Sequence, residues 1–196
     1  LQHRGEESAG IVSFNGNREH AYKGMGVVGD IFTGGVFKRL PGSCAIGHVR
    51  YSTTGSSFED NIQPFMVLHK KGHIAIAHNG NLTNTLTLRK DLEDKGSIFQ
   101  TSMDSEVIVH FLAKSKSGDI KERVADALSN LQGAYSLVLM VDGTLIGARD
   151  PYGFRPLCLG KIDGAYVLAS ETCALDLIRA EYVRDIEPGE VVLIQK

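Results

Sequence analysis

Three turn signals, each set between two strand-length apolar runs, constrain the fold of this chain more than any other feature. Residues 9–14 (AGIVSF) and 18–24 (REHAYKG) flank Asn15-Gly16-Asn17. Residues 134–140 (AYSLVLM) and 144–150 (TLIGARD) flank Asp142-Gly143, and residues 156–162 (PLCLGKI) and 165–170 (AYVLAS) flank Asp163-Gly164. Asn-Gly readily takes the positive φ angles of a type I′ turn, so the first pair predicts a hairpin closed by that turn; the Asp-Gly pairs predict two more. Residues 43–50, 73–80 and 190–196 read as further short, mainly apolar strands. Such a chain folds around antiparallel sheets. The strand–helix–strand alternation that a parallel, doubly wound sheet needs is absent.

Helical patterns lie mostly in the middle. Residues 84–96 carry Leu86, Leu88 and Leu92 and end on Gly96, a favoured residue just past a helix. Residues 104–115 place Val107, Ile108, Phe111 and Leu112 in one stripe. Residues 119–133 repeat the style with Val124, Ala127, Leu128 and Leu131, and Asp119 suits the N-cap. Strands at both ends with helices grouped between them predict a layered α+β domain. No repeat or linker divides residues 1–196, and that length is ample for one sizeable core, so one domain is expected.

Composition excludes several functions. The net charge is −2, with Lys and Arg dispersed, which leaves no electrostatic footprint for nucleic acid. The longest apolar runs are of strand length and too short to span a bilayer. Three cysteines, Cys44, Cys158 and Cys173, form no CxxC and no disulfide framework, so reduced, buried thiols in a cytoplasm are expected. The sequence GMGVVG (Gly24, Gly26, Gly29) matches a dinucleotide fingerprint literally, but a loop rather than a helix follows it, and the cofactor reading is rejected. His48, His69, His73, His78 and His110 show no metal-ligand spacing; no metal is expected, and structural histidines are the default.

Three polar positions stand out. The run 73–78 leads into Asn79-Gly80, with a helix a few residues on. A side-chain amide beside a backbone N–H is how an oxyanion hole is built, although Asn-Gly equally makes an ordinary turn. Arg50 ends another strand and precedes a hydroxyl-rich loop with Ser52, Thr53 and Thr54, a placement suited to gripping a carboxylate. Asp104 falls in the first turn of a helix, where Thr101-x-x-Asp104 resembles a capping box. It serves there as a cap, as an acceptor for an ammonium group, or as both.

Eight blocks in order resemble one family. They are LQHRGEESAGIV (1–12), GHVRYSTTGSS (47–57), AHNGNLTN (77–84), GSIFQTSMDSEV (96–107), GAYSLVLM (133–140), ARDPYGFRPLCLG (148–160), LASETCALD (168–176) and VRDIEPGEVVLI (183–194). Together they resemble class II glutamine amidotransferase domains of the N-terminal-nucleophile type. The resemblance implies a four-layer αββα sandwich that hydrolyses glutamine to glutamate and ammonia. It further implies that Arg50 clamps the substrate α-carboxylate with Thr53 in its supporting loop, and that Asp104 receives the α-ammonium. Asn79 and Gly80 would stabilise the oxyanion, and Arg4, with His3 and Glu6, would order the surroundings of the nucleophile. That nucleophile is the family's N-terminal Cys, which this chain does not carry. The chain is therefore expected to be an interior fragment that lacks the first strand and helix and has no glutaminase activity of its own.

A phosphoribosyl-transferring domain that uses magnesium is expected beyond residue 196, in a full-length protein that is a homo-oligomer; an iron–sulfur cluster in that parent is left undetermined. The fragment itself would need no cofactor. A glutamine-binding module without chemistry, or an amidotransferase serving another acceptor, remain open at this point.

Overall fold

The hairpins form where the turn residues direct, with one change of turn chemistry. The computed structural model describes residues 1–51, 59–70 and 72–195. Strands β1 (Ser8–Phe14) and β2 (Glu19–Met25) pair antiparallel. Between them Gly16 has positive φ (+92°) but Asn15 does not. The Asn15 side-chain oxygen instead accepts hydrogen bonds from the N–H groups of Asn17 and Arg18, both at 3.0 Å. A short amide that captures nearby backbone donors closes a longer loop, which replaces the expected type I′ turn.

The chain continues through a one-turn helix α1 (Val28–Ile31), β3 (Cys44–Arg50), β4 (Phe65–His69) and β5 (Gly72–Leu82). Helices α2 (Thr85–Glu93), α3 (Glu106–Lys114) and α4 (Ile120–Leu128) follow in succession. The second hairpin is β6 (Gly133–Val141) with β7 (Thr144–Arg149), and the third is β8 (Cys158–Ile162) with β9 (Ala165–Ala169). Helix α5 (Thr172–Leu177), β10 (Glu181–Asp185) and β11 (Val191–Ile194) complete the described chain. Both Asp-Gly turns carry two successive positive φ angles, +49° and +78° at Asp142-Gly143 and +48° and +80° at Asp163-Gly164, as type I′ requires.

These strands make a five-stranded antiparallel sheet, β11-β7-β6-β5-β4, and two three-stranded ones, β2-β1-β3 and β10-β8-β9. Alternation along β5 and β6 decides the layers. Ile74, Ile76, Leu137 and Leu139 face α3 and α4 through Val107, Ile108, Leu112 and Val124. Ala75 and Met140, on the opposite face, meet Val12 and Ile46 of the first small sheet. Val138 and the β11 residues Val192 and Ile194 meet Leu157, Leu159 and Ile186 around the other small sheet. Ala9 on the outer face of β1 packs under Ile31 and Phe32. The order is helices, sheet, paired small sheets, short helix: the expected αββα layering, with its fourth layer reduced to α1 and a 3₁₀ turn at Gly34–Arg39.

Several local expectations change. Leu86 is 85% exposed, because α2 lays only Leu92, and in part Leu88, on the core. Gly96 ends that helix as expected: at φ +82° it donates to Glu93 O while Ser97 donates to Leu92 O, a Schellman pair. Asp119 caps α4 by accepting from Lys121 N at 2.8 Å. Asp104, in contrast, precedes α3 and does not cap it. Buried Glu106 takes the donors there, accepting from Gln100 N (2.8 Å), Thr101 N (2.8 Å) and Thr101 Oγ1 (2.6 Å). Strands β4 and β10 escaped the sequence reading because no Asn-Gly or Asp-Gly turn joins either to a neighbouring strand, and every residue of β10 is exposed. Gly29 lies inside α1, not in a loop, but Gln2 Oε1 already caps the Val28 N–H at 2.6 Å.

Candidate active site

The two layers of sheet part at one end and leave a cavity of about 500 Å³, lined by Arg4, His48, Arg50, His78, Asn79, Gly80 and Asp104 among others. Strand β5 builds its floor. Asn79 and Gly80 are not a turn after a strand, since β5 runs on through them to Leu82, opposite β6. Strand alternation then fixes where their N–H groups point. Tyr135, opposite Gly80, spends its N–H and C=O on Asp150, on the β7 side, so it has none for Gly80. The even-numbered N–H groups of β5 therefore face the side of β4, which ends its pairing at Ile76. His78 N donates there to Gln63 Oε1 at 2.7 Å, and Leu82 N to Asp104 Oδ2 at 2.9 Å. Gly80 N–H lies between these two and points the same way, into the cavity. Only glycine fits, because a Cβ would collide with the carbonyl oxygen of Ala134 and come within 2.8 Å of His78 Nε2.

The Asn79 amide is oriented from one side only. Arg4 Nη2 donates to its Oδ1 at 3.3 Å, while Nδ2 is buried with no partner among the described residues. A buried N–H₂ without an acceptor is costly unless a ligand completes it. Arg4 is itself anchored by Ser170 Oγ (3.4 Å) and Glu171 Oε1 (2.9 Å).

Charged groups flank this pair. Arg50, the last residue of β3, is 5% exposed and donates Nη1 to Glu7 Oε1 at 3.0 Å. Asp104 accepts from His78 Nδ1 (3.3 Å), from Leu82 N (2.9 Å) and from the Ser105 backbone, which leaves the carboxylate one further lone pair. Burial works to raise its pKa, but the hydrogen bonds from His78, Leu82 and Ser105 outweigh it and hold the carboxyl below the usual range, so it is ionised at neutral pH. His48 Nε2 donates to His78 O at 3.1 Å, and burial lowers its pKa to about 4, so it is neutral.

The structure thus brings Arg50, Asn79, Gly80, Asp104 and Arg4 to one cavity. Thr53 lies outside the described residues. Glu6 is exposed, and it is Glu7 that engages Arg50. His48 and His78 are corrections to the structural default, since both line the cavity and each keeps one buried ring nitrogen without a partner among the described residues. His69 and His73 do follow it, held by Arg123 (3.2 Å) and Glu19 (2.6 Å). Glu7 and Gln63 carried no sequence signal, because each acts on another segment, 43 and 15 residues away.

The thiols also differ from expectation. Cys158 is buried, Cys44 half-buried and Cys173 exposed on α5. All three have raised pKa values, Cys44 and Cys158 chiefly through burial and Cys173 through its hydrogen bond to Glu171, so none is an activated nucleophile. Spacing along the sequence also overlooked a grouping of metal-ligating side chains at His3, Glu171 and Cys173.

Helices over two antiparallel layers, with a polar cavity where the sheets part, are the architecture of N-terminal-nucleophile hydrolases. The chain belongs to the glutamine amidotransferase domain family, whose model matches residues 48–177. It is 53% identical over 195 residues to a chloroplastic amidophosphoribosyltransferase of Vigna aconitifolia, covering 99% of this chain and 40% of that one. Against the amidophosphoribosyltransferase of Bacillus subtilis the identity is 46%, over 99% of this chain and 41% of the relative. A solved structure described as the allosteric regulatory enzyme of purine biosynthesis superposes with a TM-score of 0.95 at 45% identity, covering 100% of this chain and 42% of that one. The chain spans about two fifths of the length of these relatives. No helix among the described residues is long and apolar enough to cross a membrane.

Proposed function

We propose that this chain is the glutamine-hydrolysing part of an amidophosphoribosyltransferase, releasing ammonia from glutamine for phosphoribosylamine formation at the start of purine biosynthesis. The observation that carries the reading is the pair of donors without a partner among the described residues, Asn79 Nδ2 and, by strand alternation, Gly80 N–H, at the wall of a cavity that an arginine and an ionised carboxylate also line. Identity of about half the residues to amidophosphoribosyltransferases along the whole chain supports that acceptor over another.

In this reading Asp104 receives the glutamine α-ammonium on the lone pair that His78, Leu82 and Ser105 leave open. Arg50, held by Glu7, presents its guanidinium to the α-carboxylate. The side-chain amide then reaches the floor of the cavity. As a thiolate adds to its carbonyl carbon, the oxygen gains negative charge and takes hydrogen bonds from Asn79 and Gly80. Arg4 turns the Asn79 amide so that its donor, not its acceptor, faces that oxygen. The nucleophile is an N-terminal Cys with its own α-amino group as base, contributed by the longer protein. Magnesium belongs to the phosphoribosyl-transferring part, which is also the recipient of the ammonia, in a homo-oligomer of the full-length protein. Three cysteines without a disulfide suit a cytoplasmic setting.

The test is glutaminase turnover in the longer protein that carries the N-terminal Cys. Asn79→Ala is expected to lower kcat by roughly 10²–10³-fold with KM little changed. Unaltered kcat would remove Asn79 from the oxyanion hole.

A further inference from the structure

Arg4 turns one face of its guanidinium to Asn79 and the other to a second polar group that glutamine hydrolysis does not use. His3 Nε2 lies 2.9 Å from Glu171 Oε2, and Cys173 Sγ lies 3.3 Å from the same oxygen. The three ligand atoms fall within 4.8 Å of one another. They come from two distant segments, the 3₁₀ turn Gln2–Arg4 and the start of α5, where Glu171 is the N-cap residue.

Their geometry suits a small cation. Zinc bonds of about 2.0–2.1 Å to nitrogen, 2.0–2.2 Å to oxygen and 2.3 Å to sulfur set tetrahedral donors roughly 3.3–3.7 Å apart. The two separations from Glu171 Oε2, 2.9 Å and 3.3 Å, are shortened by hydrogen bonds and open by about half an ångström or less to reach that range, while His3 Nε2 and Cys173 Sγ already lie within 4.8 Å of each other. The carboxylate is already aimed. Arg4 Nη1 holds Glu171 Oε1 at 2.9 Å, which leaves Oε2 turned to His3 and Cys173, as an outer hydrogen bond orients a ligand in established metal sites. Two donors, an imidazole N–H and a thiol, converge on that one oxygen, and a dication replaces both.

We propose that His3, Glu171 and Cys173 form a binding site for a thiophilic divalent cation of the zinc type. On binding, the Cys173 S–H bond breaks, its proton passes to solvent, and a metal–sulfur bond forms. His3 gives its Nε2 proton to solvent and, as the neutral tautomer protonated at Nδ1, coordinates through Nε2; Glu171 coordinates through Oε2, and water from the open side completes the tetrahedron. Thiolate with imidazole selects zinc over magnesium or calcium, which prefer all-oxygen sites. The Glu171 hydrogen bond raises the Cys173 pKa, so the thiol is protonated in the metal-free chain and uptake releases a proton. The site is independent of the glutamine reading, since none of its three ligands contacts the proposed substrate.

The experiment is titration of the reduced 196-residue chain with Zn²⁺ against a chromophoric chelator, with Co²⁺ as a spectroscopic probe. Expected are one Zn²⁺ per chain and a cobalt complex with a thiolate charge-transfer band. The band should vanish in Cys173→Ser, and Zn²⁺ affinity should fall about tenfold or more in Cys173→Ser, His3→Ala and Glu171→Gln. Cys44→Ser should change neither. All three side chains are at least partly exposed, so these variants keep the fold. Absence of the band, its loss in Cys44→Ser, or Zn²⁺ uptake unchanged in Cys173→Ser would each overturn the assignment.

Discussion

Two buried polar regions of this chain, some seventy residues apart in sequence, treat their hydrogen-bonding groups in opposite ways. Around Asp150, which is fully buried, every valence is used. Its carboxylate accepts from the N–H groups of Tyr135 (3.3 Å), Tyr152 (3.0 Å), Phe154 (3.2 Å) and Arg155 (3.2 Å), and its carbonyl accepts from Gly153 and Gly189. Around Asn79 the network stops short: Asn79 Nδ2, His78 Nε2 and His48 Nδ1 are buried without a partner among the described residues. A closed network holds a loop in one shape. An open one, at the wall of a cavity, is completed by something that enters it.

The contrast breaks most visibly on the closed side. Replacing Asp150 by Ala strands four backbone donors, and a loss of about 3–5 kcal/mol of unfolding free energy is expected in urea titrations. A loss under 1 kcal/mol would show that the loop does not depend on its carboxylate.

The next effect is a pH dependence. His48 has its folded pKa lowered to about 4 by burial, so acid favours the unfolded chain, which binds its proton near the ordinary value of about 6.5. Stability is therefore full above pH ~6.5 and falls as pH drops toward 4, by up to about 3 kcal/mol. Asp104, whose pKa is depressed, adds a separate loss that begins below about pH 4, as the carboxylate takes up its proton. His48→Gln should flatten the first window and spare the second; a profile flat from pH 6.5 to 4 in the parent chain would contradict the buried, neutral His48.

The smallest stability effect belongs to the open side. Asn79→Ala removes a donor that has no partner among the described residues and one contact with Arg4, so a change under about 1 kcal/mol is expected in the same titrations. A larger loss would mean that Asn79 supports the fold rather than waiting for a ligand.

What the sequence disclosed follows the same division. Asn79, Gly80, Arg50 and Asp104 were legible because each sits in a local pattern, a strand end or a helix approach, within ordered blocks. The turn signals gave the hairpins, and apolar periodicity gave α2 to α4. Glu7 beneath Arg50 and Gln63 beneath His78 were not legible, since they join segments 43 and 15 residues apart. The His3–Glu171 contact spans 168 residues, beyond any spacing rule. Asp104 was read as a cap because Thr101-x-x-Asp104 fits that motif. Glu106, two residues on, reaches back to those N–H groups and frees Asp104 to face the cavity.

The most direct measurement is calorimetric titration of the 196-residue chain with L-glutamine. If the open network is a glutamine site, one L-glutamine binds per chain, and Asp104→Asn weakens binding about tenfold or more by removing the charge opposite the α-ammonium. No saturable binding, or equal affinity in Asp104→Asn, would contradict it.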